Sequence, residues 1–166
     1  MTDLSLVLTP LTPADMPHVE KLDERAFGPG RFARTAYRLR EGAAPDFSLS
    51  FAARVGTFLG GANRMTRIKC GAVDGLLLGP LTVDPSFRSR GIGAALARKS
   101  LEAAAQSQAG LVLLVGDAPY YARLGFKPVP MGRLVLPGPV DPHRLLYREL
   151  REGALEAAKG AVTRVA

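Results

Sequence analysis

The chain has no tryptophan, a single cysteine and two histidines among its 166 residues. One cysteine, Cys70, cannot close an internal disulfide. One cysteine with two histidines is also too few for a structural zinc site, so no metal is expected. His18 and His143 read as surface residues and Cys70 as an inert thiol, since neither histidine lies near it in sequence. The most apolar stretch, Gly75–Val83, falls far short of the roughly 20 residues a membrane helix needs. Asp3 stands where a signal peptide carries positive charge, and no cleavage-type ending follows. With 47% apolar and 22% charged residues, a disordered or collagen-like chain is excluded. The expectation is one cytoplasmic domain over residues 1–166, large enough to bury a core without staples.

Acidic charge is also short: 15 Asp and Glu face 22 Lys and Arg, a net charge of +7. Residues 1–30 carry −3, residues 31–100 carry +8 and residues 101–166 carry +2. A basic middle segment suits either a nucleic-acid backbone or a smaller polyanion such as a phosphorylated cofactor.

Local patterns give an α/β chain. Leu4–Leu8 reads as a first strand. Thr12-Pro13-Ala14-Asp15 is a helix start, with Thr12 as N-cap and Asp15 as its capping-box partner. Met16, Val19, Leu22 and Ala26 recur at helical spacing, and Gly28 stops that helix. A second, arginine-rich helix is expected over Arg31–Glu41. Strand-like runs at about Phe47–Arg54, Thr57–Ile68 and Val73–Val83 are most simply an antiparallel meander. A helix follows over Gly91–Gln108. Leu111–Val115 is almost purely apolar, as a strand buried on both faces must be. A short helix at Ala118–Leu124, a strand opening at Gly125-Phe126 and a last strand at Leu145–Leu150 complete the pattern. Residues 153–166 fit either a short helix or a tail.

Between the strand ending at Val83 and the helix near Gly91 lies Asp84-Pro85-Ser86-Phe87-Arg88-Ser89-Arg90-Gly91-Ile92-Gly93-Ala94. A strand feeding a glycine-rich turn into a helix start is an anion site, because the first helical N–H groups lack intrahelical partners and the macrodipole is positive there. Gly91 and Gly93 let an oxyanion approach the backbone, and Arg88 and Arg90 add full charges. The loop lacks the Gly-Lys-Ser/Thr ending of a Walker motif and the third glycine of the dinucleotide fingerprint. Capping glycines beside solvated arginines would look the same, so the loop by itself leaves both readings open.

Arg88-Ser89-Arg90-Gly91-Ile92-Gly93 resembles the Arg/Gln-x-x-Gly-x-Gly/Ala motif of the GNAT superfamily of acyl-CoA N-acyltransferases. Tyr120-Tyr121-Ala122-Arg123-Leu124-Gly125-Phe126 is similar to that family's second signature, an aromatic-Tyr segment closing on Gly-Phe. The strong resemblance covers residues 73–128, and Asp117-Ala118-Pro119-Tyr120-Tyr121 with Gly153-Ala154-Leu155 resembles the YhbS-like branch. The resemblance implies a mixed, mostly antiparallel sheet of about six or seven strands flanked by about four helices, splayed between the fourth and fifth strands. It implies acetyl-CoA or coenzyme A as acyl donor, with the pyrophosphate on backbone amides of Arg88, Ser89, Arg90, Gly91, Ile92, Gly93 and Ala94. The pantetheine arm would pair with Gly79–Val83 across from Leu111–Gly116. Pro80 lies near the bulge where the family bends its fourth strand.

The implied reaction is direct attack of an amine on the thioester. The oxyanion would be held by a backbone N–H of Leu81, Thr82 or Val83. Tyr121, four residues before Gly125, matches the family's general-acid tyrosine, and Tyr120 takes the packing position beside it. The Leu76–Leu81 segment lacks the carboxylate base common in the family, leaving Asp117 as the nearest candidate, with Glu20 and Glu24 weaker and Asp84 read as a turn cap. The acceptor is a small-molecule or protein amine; dimers are common in this fold but not specified by the sequence. The alternative is a catalytically silent coenzyme A sensor of the same fold. A nucleic-acid binder ranks last, because Arg31, Arg34, Arg38, Arg40, Arg64, Arg67 and Lys69 are barely interleaved with stacking aromatics. The arginines of residues 31–40 would otherwise form a solvated helix face or meet an acidic acceptor or acyl-carrier partner.

Overall fold

The computed structural model describes residues 6–165, with only the backbone of Phe32 and Ala33. The first strand, β1, runs Leu6–Pro10; the expected start at residues 4–5 lies outside the described residues. The Thr12 start forms as read: the Asp15 carboxylate accepts from the Thr12 N–H at 2.9 Å and the Thr12 hydroxyl at 3.0 Å. It opens a 3-10 turn that leads into α1, Met16–Phe27. Val19, Leu22 and Asp23 are its buried positions, one face at spacings of three and four.

The arginine-rich helix is broken in two. Pro29–Ala33 is a 3-10 turn, Arg34 is extended (φ −71°, ψ 141°), and α2 spans Thr35–Arg40. The meander starts later than the pattern suggests, because Asp46 caps a turn through the Ser48 N–H at 3.1 Å. β2 is Phe51–Val55, β3 is Phe58–Cys70 and β4 is Val73–Val83. They pair antiparallel as expected. The loop then enters α3 (Ile92–Ala105), β5 (Leu111–Val115) and α4 (Ala118–Ala122). β6 (Lys127–Pro128), β7 (Leu134–Val135) and β8 (Leu145–Glu149) follow.

β8 is not the last strand. Residues 153–166 contain both α5, Ala154–Ala157, and β9, Gly160–Arg164. β2 covers the outer edge of β3 only as far as Asn63, and β9 takes up that edge at Ile68–Cys70. The sheet runs β1-β2-β3-β4-β5-β8-β6, with β9 on β3 and β7 on β9. Along the main path, β4–β5 is parallel and the other pairs are antiparallel. This is the expected mixed α/β architecture, with nine strands among the described residues rather than six or seven because the two-residue β6 and β7 and the late β9 add to the count.

Alternation along the central strands builds two cores. Leu76 and Leu78 of β4 and Val112 and Leu114 of β5 pack with Ala97, Leu101 and Ala104 of α3. Leu77, Leu111 and Leu113 face the opposite layer with Leu39, Val129, Leu136 and Leu145. The strands are buried on both faces because helices or loops cover each side. No helix among the described residues is long and apolar enough to cross a membrane.

Candidate active site

β4 and β5 pair only over Gly75–Leu77 and Leu111–Leu113. Beyond them the strands separate, and the register of β4 on β3 shifts at the same point: Asn63 opposes Leu81 while Met65 opposes Leu78. Two residues of β4, Gly79 (φ 117°) and Pro80, joined by a cis peptide, stand against the single Arg64 of β3. A bulge bends its strand away from regular pairing, and Pro80 has no N–H to offer the ladder. The gap opens into a cleft of about 920 Å³ lined by Leu78–Leu81, Leu114–Asp117, Tyr120 and Tyr121, with α1 and α2 on its far side.

Amide direction along β4 follows from one hydrogen bond. The Asp84 N–H donates to the Gly60 carbonyl at 2.8 Å, and Thr82 opposes Ala62 in the same antiparallel register. Since N–H groups alternate sides along a strand, Thr82 turns its N–H toward β3. Leu81 and Val83 turn theirs toward the gap. The sequence had treated these three alike; the ladder separates them.

The loop makes a second cleft, about 580 Å³, around Val83, Phe87, Arg88, Ser89, Gly91–Ala94, Arg98, Tyr120 and Arg123. Asp84 caps its first turn, accepting from the Ser86 N–H at 2.9 Å, with Arg25 at 3.3 Å. Ser89 (φ 65°) and Gly91 (φ 76°) are both left-handed, which swings the chain into α3. That helix has no side-chain N-cap, so the amides of Ile92, Gly93 and Ala94 remain open. Arg88, Ser89 and Arg90 are exposed. Arg90 does not line the cleft; its guanidinium lies over the Phe87 ring, 5.4 Å from the centroid. Arg98 and Arg123 do line it, and neither had a signal in the sequence beyond its place on or just after a helix. A Cβ on Gly93 would meet the Tyr120 hydroxyl at 3.0 Å. Tyr120 therefore does more than pack: it lines both clefts.

Tyr121 sits edge-on to Tyr120 (4.9 Å) and Phe126 (5.8 Å), and a Cβ on Gly116 would come within 2.7 Å of its ring. Glycine at the end of β5 is what lets this ring reach the gap. Burial pushes the Tyr121 phenol up to about 12, with Tyr120 adding to the rise, so it is a neutral donor at physiological pH. Asp117 is exposed at the cleft mouth, and its Oδ2 caps α4 through the Tyr120 N–H at 3.2 Å. Glu20 lines the cleft and pairs with Arg64 at 3.2 Å, whereas Glu24 does not line it.

One polar residue of this wall, Asp23, has no role in the sequence reading, and Arg64 and Arg40 enter it only as members of the basic cluster. Asp23, 2% exposed, accepts the Thr82 hydroxyl at 2.6 Å and pairs with Arg64. Arg40 of α2 lines the same wall. The available signal was an acid at position 23, four residues after Val19, on the apolar face of α1. His18 and His143 are exposed, as read. Cys70 is fully buried, and burial pushes its thiol up to about 12. It should therefore stay unlabelled by iodoacetamide at pH 8 in the native protein and react once the chain is denatured, as followed by mass spectrometry. Rapid native labelling would contradict that burial.

Residues 50–128 match the family described as Acetyltransferase (GNAT) domain. Among solved structures, the GNAT family N-acetyltransferase YhbS from Escherichia coli, in complex with CoA, matches with a TM-score of 0.82 and 21% identity, over 99% of this chain and 92% of that one. A GNAT family acetyltransferase from Brucella melitensis in complex with acetyl-CoA matches with a TM-score of 0.61 and 23% identity, over 86% and 95%. An acetyltransferase of the GNAT family from Staphylococcus aureus Mu50 matches with a TM-score of 0.61 and 14% identity, over 89% and 100%. No curated protein matched the sequence.

Proposed function

We propose that this chain, which carries a GNAT acetyltransferase domain over residues 50–128 within a GNAT fold of YhbS-like form, is an N-acetyltransferase that moves an acetyl group from acetyl-CoA to a primary amine. We read residues 1–166 as that one domain. The observation that carries the reading is the open β4–β5 gap continuing, past Tyr120, into the uncapped start of α3. The ligands of the Escherichia coli and Brucella neighbours, CoA and acetyl-CoA, support the same donor here.

The residues present fit that donor. Open amides at Ile92, Gly93 and Ala94 suit a pyrophosphate, and Arg88, Arg98 and Arg123 supply charge around it. Arg90, stacked on Phe87, stiffens the loop and contributes at longer range. When bound, acetyl-CoA supplies a thioester whose carbonyl an amine can attack. Leu81 and Val83 aim backbone N–H groups into the gap, where an extended ligand arm or developing oxyanion is stabilised by fixed donors. Thr82 serves indirectly, its hydroxyl anchoring Asp23 of α1 to β4. Tyr121 holds a proton on its phenol oxygen beside the gap and can donate it to the departing sulfur. Asp117, at the mouth, is the candidate to take up the amine proton.

Heat-shift titration with acetyl-CoA tests the reading. Wild type should gain about 3 kcal/mol at 100-fold excess over Kd, and Gly93→Val, whose side chain would crowd Tyr120 and the amide approach, should bind about tenfold more weakly. No stabilisation of wild type at saturating acetyl-CoA would sink the proposal.

A further inference from the structure

Among the described residues, the four acidic side chains that line the β4–β5 cleft are all engaged. Glu20 and Asp23 pair with Arg64. Asp117 caps α4, and Asp141 accepts the His143 N–H at 2.9 Å to cap the turn that opens at Pro142. Arg40, at the end of α2, has no such partner. Its Nε is enclosed and unbonded among the described residues, and no carboxylate there forms an ion pair with it. Its Nη2 lies against Gly79, where a Cβ would come within 3.0 Å. That same Cβ position lies 3.6 Å from the Leu81 nitrogen, so the guanidinium sits at the β4 bulge close to the amide that faces the gap.

The carbonyls of the neighbouring loop are taken up by other side chains of α2. Loop 137–141 is tied to α2 by Arg38 donating to the Pro137 carbonyl at 2.6 Å and Thr35 to the Pro139 carbonyl at 2.5 Å. Burial, then Arg64, lower the proton affinity of Arg40 to about 9, with Asp23 opposing and Arg34 adding. It remains a cation at neutral pH. A half-buried cation that forms no ion pair is unfavourable, and such a group in a cleft marks a place where a ligand can bring further opposite charge.

We propose that Arg40 binds the anionic end of the acceptor, and that the acceptor is a small amine carrying a carboxylate, of the amino-acid class. This rests on the acetyltransferase reading above and specifies its acceptor. The planar guanidinium fits a carboxylate through two parallel N–H donors, while the amine of the same small molecule reaches the Leu81 end of the gap. The unexplained basic charge at Arg40 thereby acquires a partner.

A panel of free amino acids and their matching amino-acid amides tests this on wild type and R40M, by heat shift without acetyl-CoA and by acetyl-CoA-dependent thiol release. At least one free amino acid should stabilise wild type more than its amide does. The acid-to-amide ratio of kcat/KM should be about 10 to 100 in wild type, fall toward 1 in R40M and recover in part in R40K. Unliganded R40M should melt no lower than wild type, because a half-buried charge that forms no ion pair is removed. A lower Tm would make Arg40 a structural residue and overturn the proposal. Amides outdoing free acids, or no free amino acid stabilising wild type, would overturn it as well. Acetyl-CoA heat shift reports separately on the parent reading: its absence removes acetyl transfer, while the amino-acid shift and its loss in R40M still judge Arg40.

Discussion

Tyr121→Phe should lower kcat by about 10²- to 10³-fold while leaving the acetyl-CoA heat shift in place, the size expected when one positioned proton donor is removed. The ring is retained, so its edge contacts with Tyr120 and Phe126 and its fit against Gly116 persist. Only the phenol oxygen is lost. The sign of the pH effect also follows. With its folded pKa raised to about 12 from an ordinary 10, Tyr121 favours the folded state fully below pH 10, and that contribution disappears as pH rises through 12. Any fall in rate below pH 10 must therefore come from another group, while a rise over that range reports deprotonation of the attacking amine. Steady-state kinetics over pH 6–10 on both proteins check the claim. A variant with unchanged kcat would remove Tyr121 as the proton donor, whereas acetyl-CoA binding without turnover in wild type is the result that would favour the silent coenzyme A-binding module.

Gly71→Ala should destabilise the fold by about 3 kcal/mol, combining left-handed backbone strain with a steric clash. Gly71 turns β3 into β4 at φ 60°, and its N–H donates to the Ala161 carbonyl of β9 at 2.9 Å. A Cβ there would stand 2.2 Å from the Lys159 carbonyl oxygen, a backbone atom that cannot swing aside. For a chain of this length, Tm should fall by about 6–12 °C. Gly56→Ala is the control. It has the same φ of 60° in the β2–β3 turn but nothing within 4 Å of the new Cβ, so it should cost only about 1 kcal/mol. Equal losses in the two variants would mean that β9 does not press on the β3–β4 turn.

These two residues differ in how far local sequence reveals them. Tyr121 was legible because the aromatic-Tyr segment closing on Gly125-Phe126 is a contiguous pattern. The loop at Arg88–Gly93 was legible for the same reason, as were the Thr12 capping box and the doubly buried Leu111–Val115 strand. Each depends on contacts within a few residues, or on burial that apolar composition records. β9 was not legible: Gly160–Arg164 becomes a strand because β2 leaves the far end of β3 uncovered, a fact fixed some hundred residues away. The break in the expected Arg31–Glu41 helix likewise carries no strong local stop, as Arg34 is an ordinary residue that takes an extended conformation.

The sequence by itself determined an α/β chain with an anion-binding strand-loop-helix and a tyrosine at the right spacing, because hydrogen-bonding, glycine and capping rules act between near neighbours. It also located the excess of positive charge in residues 31–100. Only the tertiary structure decided which amides of β4 face the gap, since that depends on the register with β3. Only it joined Asp23, Arg64 and Thr82 from α1, β3 and β4 into one group while leaving Arg40 without an ion pair among the described residues. Charge can be counted along a chain, but whether a charge is neutralised depends on what packs within a few ångströms of it.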